Sequence, residues 1–429
     1  MHLSINIKIK CTMEKTNSQL IPNKEIRDIC KGIFKEVQRD GDKAVTKYTW
    51  FFDKAKISNC KVSEEEINES EFLVPENLKE AILLAKSNIE NFHKAQAKFQ
   101  KVEVEENSCK CWQEIRAIEK VGLYIPGGTA PLFSTVLMLA IPAKIANCKD
   151  IILLSPPNSE GKINPVILWT AKICGIKAMY KAGGVQAIAA MTFGTESIPK
   201  VYKIFGPGNA YVMQAKQLAL NYGVAIDMPA GPSELMVIAD ESAKANFVAS
   251  DLLSQAEHGV DSKIALLTTT KGFIEKVKYE IKLQLEDLPR KEIISKVLAN
   301  NFIFKLLPNI DACLDIANDY APEHLIVCTQ NYNKVVPKIT NAGSVFLGNY
   351  SPESAGDYAS GTNHTLPTSS YAKMYSGISV DSFTKKIFFQ ELSKDGLSYL
   401  SSAIEIMAEN ESLNAHANAV KIRMDSEIN

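Results

Sequence analysis

The sequence predicts an α/β protein with two doubly wound parallel-sheet domains, a small N-terminal arm and a C-terminal helical tail. Three observations carry this. At 429 residues the chain is too long for one ordinary hydrophobic core. Its 46% apolar and 23% charged residues are the proportions of globular domains. From about residue 120 onward, short apolar runs alternate with helical stretches, the pattern of parallel strands joined by helical crossovers.

Taken in order, residues 1–20 alternate apolar and polar side chains and read as an edge strand or arm. The stretch lacks an apolar h-region and a small-residue cleavage site, so it is not read as a secretory signal. Residues 24–118 read as mainly helical and charged, with three-to-four apolar spacing over 24–50 and 76–99. Strands follow at 121–125, 151–154, 178–180, 201–205 and 224–226, separated by helices at 134–147, 164–174, 185–193 and 208–221. A second series has strands at 234–239, 263–269, 324–329 and 344–347, with helices at 242–257, 272–285 and 311–319. Residues 379–429 hold a strand at 386–390 and a helix from Gly396 onward. A tail of that size is marginal alone and must dock on its own body or on a partner. The first helical region is expected to pack on the second series. The expected domains are therefore an arm at 1–21, a discontinuous α/β domain at 22–122 and 233–378, another α/β domain at 123–232, and the tail at 379–429.

A net charge of −1 gives no electrostatic reason to expect nucleic acid or an anionic membrane as partner. The most apolar stretch, 131–146, is interrupted by Pro142 and Lys144 and is too short for a bilayer crossing. Nine scattered cysteines without a C-x-x-C read as reduced thiols, and a cytoplasmic protein is expected.

The chain has only six histidines, and four sit beside acids or amides. Gln255 and His258 are three apart, so at the end of a helix beginning near Asp240 they share one face. A carbonyl oxygen and an imidazole there can both reach one ion, although a plain helix-end pair fits the segment too. Glu323 and His324 follow Pro322 at the lip of a strand, a place where α/β active sites form. Neighbours in extended chain point opposite ways, so separate proton-transfer roles are expected of them. The segment 349–368, NYSPESAGDYASGTNHTLPT, is punctuated by Glu353, Asp357 and His364, and loops of that length are usually functional. Glu411 and His416 lie near the end. His2 and His93 read as structural or exposed. Three glycine segments, 124–128, 183–186 and 205–209, each follow a strand and precede a helix, where backbone N–H groups can approach phosphate. None is a G-x-G-x-x-G, and each alone is weak evidence for a dinucleotide.

Together, YIPGG, GPGN, DMPAGPSE, SQAEHG, APEHL and SAGDYASGTNHTLPT in this order resemble the histidinol dehydrogenases. The resemblance covers nearly the whole chain and is densest over 121–367. It implies two incomplete Rossmann-like domains, oxidation of L-histidinol to L-histidinal and then L-histidine with two NAD+, one zinc ion per site, and a homodimer. It implies Gln255, His258, Asp357 and His416 as zinc ligands and Glu323 and His324 as the acid–base pair. Ser233, Glu411 and His364 join the zinc ligands and His324 in contacting substrate. Tyr124, Gln186 and Asn209 would contact the nicotinamide cofactor, and the tail's ligand would come from the partner subunit by tail exchange. The usual tail motif E-G-L-x-x-H here has Ser412 in place of glycine, tolerable where that backbone is helical. The N-terminal 20 residues match poorly. The competing function is a zinc hydrolase or deaminase with Glu323 as general base and no dinucleotide.

Overall fold

The computed structural model describes residues 24–98, 100–127 and 131–425. The expected arm at 1–21 lies outside the described residues, as does Gly128 of the first glycine segment. The described chain forms two units: residues up to Ala97 with Ile118–Phe383, and Lys98–Ala117 with the chain from Thr384.

The first unit opens with α1 (Lys24–Asp40), α2 (Asp42–Asp53), α3 (Glu64–Leu73) and α4 (Glu76–Gln96). The expected 24–50 helix is two helices, broken at Gly41, where φ is +52° and a β-carbon would lie 2.2 Å from the Glu196 carboxylate. That carboxylate accepts from the Asp42 amide at 2.8 Å and so caps α2. The next two strands in sequence, β1 (Val102–Glu106) and β2 (Cys109–Ala117), belong to the second unit.

The first sheet comprises β3 (Lys120–Tyr124), β4 (Asp150–Ser155), β5 (Ala178–Lys181), β6 (Lys203–Phe205) and β7 (Ala225–Ile226). Its connections are α5 (Phe133–Ile145), α6 (Pro165–Ile173), α7 (Gly184–Phe193) and α8 (Ala210–Leu220). All five strands are parallel, in the order β5-β4-β3-β6-β7. The chain starts at a central strand, winds outward, then returns to wind the other way, so its order reverses between β3 and β6. The α1 stripe Cys30, Ile33, Phe34 and Val37 joins the core formed by α7, α8 and this sheet, while α3 packs on α6 and α4 on α5. The expectation that the first helical region packs on the second series is therefore corrected. An apolar stripe shows that a helix is covered but not by which sheet.

The second sheet repeats the winding. Its elements are β8 (Glu234–Ala239), α9 (Ala245–Ala256), β9 (Lys263–Thr268), α10 (Phe273–Leu285), α11 (Lys291–Asn300), β10 (Phe302–Leu306), α12 (Ile310–Tyr320), β11 (His324–Cys328), α13 (Tyr332–Val335) and β12 (Ser344–Leu347). The strands are parallel in the order β10-β9-β8-β11-β12. β8 and β11 are buried along their whole length. Leu235 and Val237 join the core with α9 to α11, and Met236 and Ile238 the core with α12. Both faces are covered, so these strands read as continuous apolar runs. The pair α11 and β10 was not expected. Asp240 does not cap α9 as expected: its carboxylate accepts from Ser242 and Gln330 amides at 2.8 and 2.9 Å, and the helix starts at Ala245. A short helix, α14 (Glu353–Tyr358), lies inside the expected 349–368 loop.

In the second unit β13 (Thr384–Leu392) pairs with β2, giving the antiparallel order β1-β2-β13. Asn107 and Ser108 turn the hairpin with φ of +50° and +60°, the signs a type I′ turn requires. Trp112 and Phe389 stack at 5.3 Å. These strands correct the helical reading of 102–117. β1 does alternate, Val102-Glu103-Val104-Glu105, but over only four residues, and it is exposed throughout. The unit ends in α15 (Lys394–Asn410) and α16 (Asn414–Asp425), packed on each other. It leaves Phe388 80%, Tyr399 64% and Met407 65% exposed. No helix among the described residues is long and apolar enough to cross a membrane.

Between the last two helices, Leu413 N–H donates to the Ala408 carbonyl and Ser412 N–H to that of Glu409, a Schellman closure. Ser412 therefore has φ +62°, left-handed rather than helical. A serine there costs about 1–2 kcal/mol, partly offset by glycine's greater chain entropy. Ser412→Gly is expected to stabilise the protein by up to about 1 kcal/mol in thermal denaturation. A lower melting temperature would contradict this reading of the turn.

Candidate active site

Strand register brings the site together. β8 and β11 are neighbours with Leu235 opposite His324, so Glu234, Glu323 and His324 meet at one sheet edge. The chain reaches that edge from α12 through Ala321, whose φ is +54°, and Pro322. This is the amino edge of the second sheet, not the carboxyl edge where ligands of such sheets usually bind.

Glu323 Oε2 accepts from the Glu234 amide at 2.8 Å. His324 Nδ1 lies 3.2 Å from the Glu234 carbonyl oxygen, so Nδ1 carries a proton and donates it there. Nε2 is left without a hydrogen-bond partner among the described residues and faces Asp357 Oδ1 at 3.6 Å. Contrary to expectation, Glu323 and His324 do approach each other, with Oε2 and Nδ1 3.7 Å apart. The Glu234 carboxylate is scaffold: it accepts from Tyr320 Oη at 3.1 Å, Lys263 Nζ at 3.3 Å and the Ser369 amide at 3.1 Å.

α9 and α14 supply the facing wall. Gln255 is fully buried, and with its amide nitrogen turned toward Glu353 it donates to Oε1 at 2.6 Å. That orientation leaves the amide oxygen for another partner. Glu353 Oε1 lies 3.6 Å from His324 Nδ1. Asp357 Oδ2 lies 4.0 Å from His258 Nε2. Ligand atoms of His258, Glu353 and Asp357 all fall within 4.8 Å of one another.

His364 Nδ1 donates to the Asp357 carbonyl at 2.8 Å, so its Nε2 accepts from Thr135 Oγ1 at 3.1 Å. Behind it, buried His93 donates from Nδ1 to the Ile89 carbonyl at 2.8 Å and accepts from Asn363 Nδ2 at 3.3 Å. His93 is thus structural, as expected.

Electrostatics follow from crowding acids together. Burial pushes the Glu323 carboxyl up to about 8, with His324 pulling the other way. Burial alone would lower His324, but Glu353, Glu323 and Asp357 outweigh it and hold the imidazole near 10. Glu353 is raised well above the usual range by burial. Asp357, despite burial, is held low by its approach to His324. Glu234 has its own lysine, but Glu323, Glu353 and Asp357 together exceed what the nearby imidazoles can neutralise. Oxygen and nitrogen donors gathered around such an excess fit a divalent cation.

The structure thus brings Gln255, His258, Glu323, His324, Asp357 and His364 together, with Ser233 immediately before β8 at the same edge. Glu411 follows α15 and His416 lies on α16 in the second unit, where both are exposed. Sequence reasoning left Glu234 out of the site and gave Glu353, which it singled out in the 349–368 segment, no role there. The signals were a carboxylate one helical turn before Asp357, and an acid opening the otherwise apolar run ELMVIA.

A cavity of about 760 Å³ lies at the carboxyl ends of the first sheet's strands and is lined by Tyr124, Gln186 and Asn209. The β3/β6 reversal, where such folds bind dinucleotides, contributes Tyr124 and Asn209. Gly206, in the same turn, has φ +128°, and a β-carbon there would lie 2.1 Å from the Tyr124 carbonyl. Asn209 Oδ1 caps α8, accepting from the Tyr211 and Val212 amides at 3.1 Å. Tyr124 Oη accepts from the Gly184 amide at 3.0 Å. Gln186 is fully buried with neither amide atom partnered among the described residues, and the N-cap of α7, Gly183, supplies no side chain, so only Gly184 of its first turn is met, by Tyr124. An orphaned amide beside a helix N-terminus suits a polar, anionic ligand.

A family model described as histidinol dehydrogenase matches residues 16–424. A histidinol dehydrogenase of Bacteroides fragilis is 57% identical over 407 residues, 95% of each chain. One of Campylobacter jejuni is 52% identical, covering 94% of this chain and 93% of the relative. The crystal structure of histidinol dehydrogenase from Elizabethkingia anophelis is similar with a TM-score of 0.91 at 54% identity, covering 94% of this chain and 93% of that one.

Asp251, one turn before Gln255 on α9, is 8% exposed, and burial pushes its carboxyl from 3.8 up to about 7. An acid whose folded-state value is raised costs stability as pH climbs from its unfolded value, and the full cost is reached above the folded value. Asp251→Asn should therefore stabilise the protein by a few kcal/mol, on the order of 4, at pH 8 and by much less at pH 5. Urea unfolding at both pH values checks this. A gain that shrinks as pH rises would refute the sign.

Proposed function

The chain belongs to the histidinol dehydrogenase family, and from that premise we propose that it oxidises L-histidinol through L-histidinal to L-histidine at a zinc site, reducing two NAD+. It is an NAD-dependent dehydrogenase of histidine biosynthesis. The observation that carries the mechanism is His324, tethered through Nδ1 to a backbone carbonyl with Nε2 unpartnered beside the carboxylate cluster.

Zinc, when bound, supplies a Lewis-acidic anchor that orients the amino alcohol; NAD+ supplies the hydride acceptor. Gln255, His258 and Asp357 would hold the metal, with His416 of the tail as fourth ligand. Glu353 would fix the Gln255 amide so that its oxygen, not its nitrogen, faces the ion. His324 Nε2 takes the hydroxyl proton as hydride leaves the adjoining carbon. The aldehyde then adds water, with Glu323 accepting the proton that water loses. His324, having released its first proton, takes another from the hydrate as the second hydride departs. His364, with both ring nitrogens occupied, shapes the pocket wall and contacts substrate with its ring. Ser233 and Glu411 complete the substrate contacts.

The hydrolase or deaminase alternative has no use for the 760 Å³ cavity lined by Tyr124, Gln186 and Asn209. A homodimer exchanging tails suits a second unit that leaves Phe388 and Met407 exposed. A cytoplasmic location remains the reading of the reduced-thiol composition.

The direct test follows NADH absorbance with zinc-loaded protein and L-histidinol. Two NADH per histidinol are expected, and no NADH would sink the reading. His324→Ala should slow both oxidations by roughly a hundredfold or more. Glu323→Gln should slow aldehyde oxidation more than alcohol oxidation in assays started from each substrate; equal losses would refute that division. Mixing His416→Ala subunits with a Glu323/His324 double variant should restore partial activity if tails are exchanged, and no recovery after subunit exchange would place the tail in cis.

A further inference from the structure

Asp53 is the last residue of α2 and lines the first sheet's cavity. A helix C-terminus is the wrong electrostatic end for a carboxylate. Its Oδ2 is buried and has no hydrogen-bond partner among the described residues. The neighbouring cation does not answer it, since Lys54 Nζ donates to the Phe51 carbonyl at 2.9 Å. Burial pushes the carboxyl up to about 6, which leaves it mostly ionised at neutral pH. A buried acceptor without a donor costs stability, so its presence in a cavity points to donors that arrive with a ligand.

The surroundings narrow the ligand. Ile29, Ile33 and Phe52 line the cavity along with Asp53, an apolar setting suited to a flat heterocyclic base. The polar wall of the cavity holds Gln186 with its unpartnered amide, the start of α7, and Lys162. Those groups suit the amide and phosphate portions of a dinucleotide. Two adjacent hydroxyls on a sugar can both donate to one carboxylate. A phosphate on that sugar would instead set a second anion against the carboxylate in a poorly solvated place.

We propose that Asp53 binds the ribose hydroxyls of the adenosine half of the cofactor and thereby selects NAD+ over its 2′-phosphorylated form. This rests on the dehydrogenase reading above. Calorimetric titration of the purified protein with NAD+, NADP+ and the 2′-deoxyadenosine analogue of NAD+ tests it without relying on turnover. Unmodified protein should bind the deoxy analogue about tenfold more weakly than NAD+, and NADP+ more weakly still. Asp53→Asn should bind NAD+ about tenfold more weakly while its gap between NAD+ and NADP+ narrows. Equal affinity of the unmodified protein for NAD+ and the deoxy analogue would overturn the proposal even if the variant failed to fold. An Asp53→Asn protein with both affinities unchanged would overturn it too. Failure of the unmodified protein to bind NAD+ at all would instead bring down the dehydrogenase reading on which it rests.

Discussion

Burying three carboxylates against two imidazoles is the constraint around which the rest of the molecule is arranged. Glu323, Glu353 and Asp357 come from two segments, and each meets His324 within 3.7 Å. Taking like charges out of water together is costly, and imidazole protons alone offset it poorly. Raised values for Glu323 and His324 are two expressions of that one imbalance. A doubly charged ion held by the same groups would relieve it, and would also return the imidazole to a range where it can accept a proton. Stability and chemistry are therefore coupled at this edge.

The two sheets have the same strand order but serve through opposite edges. The first offers its carboxyl edge, where helix N-termini meet the cavity. The second offers its amino edge, where Glu234 and His324 open neighbouring buried strands. Continuous apolar strands covered on both faces make a rigid base for those side chains. A short path joins the two places: Pro131 lines the cavity, and four residues later Thr135 donates to His364. The cavity and the carboxylate cluster thus share the start of one helix.

Much of this was legible in the sequence because it leaves a strong pattern. The runs 234–239 and 344–347 carry the observed strand bounds: the first is a continuous buried run, the second a partly exposed edge strand set between Gly343 and Gly348. Gln255, His258, Glu323, His324 and Asp357 stand out by residue type and by matching a family's motifs. Other features left no such mark. The β1–β2 hairpin carries a strand signal in Val102-Glu103-Val104-Glu105 and a turn signal in Asn107-Ser108, but both are short and sit beside a long charged helical stretch that masked them. The stripe on α1 could not say which sheet covers it. Glu353 was visible, but only three-dimensional proximity shows that it holds Gln255. The amino-edge location was readable from strand starts at 234 and 324, but that these two strands are neighbours follows from pairing, which no single strand reveals.

The claim that these side chains assemble around one divalent cation is tested most directly by titrating zinc into metal-stripped protein, calorimetrically, in two buffers of different ionisation enthalpy. One ion should bind per chain, with protons released as the ion displaces them from the crowded acids and imidazole. The His258→Ala and Asp357→Asn variants should each lose that binding. Zinc uptake unaffected by either substitution, or absent from the unmodified protein, would contradict it.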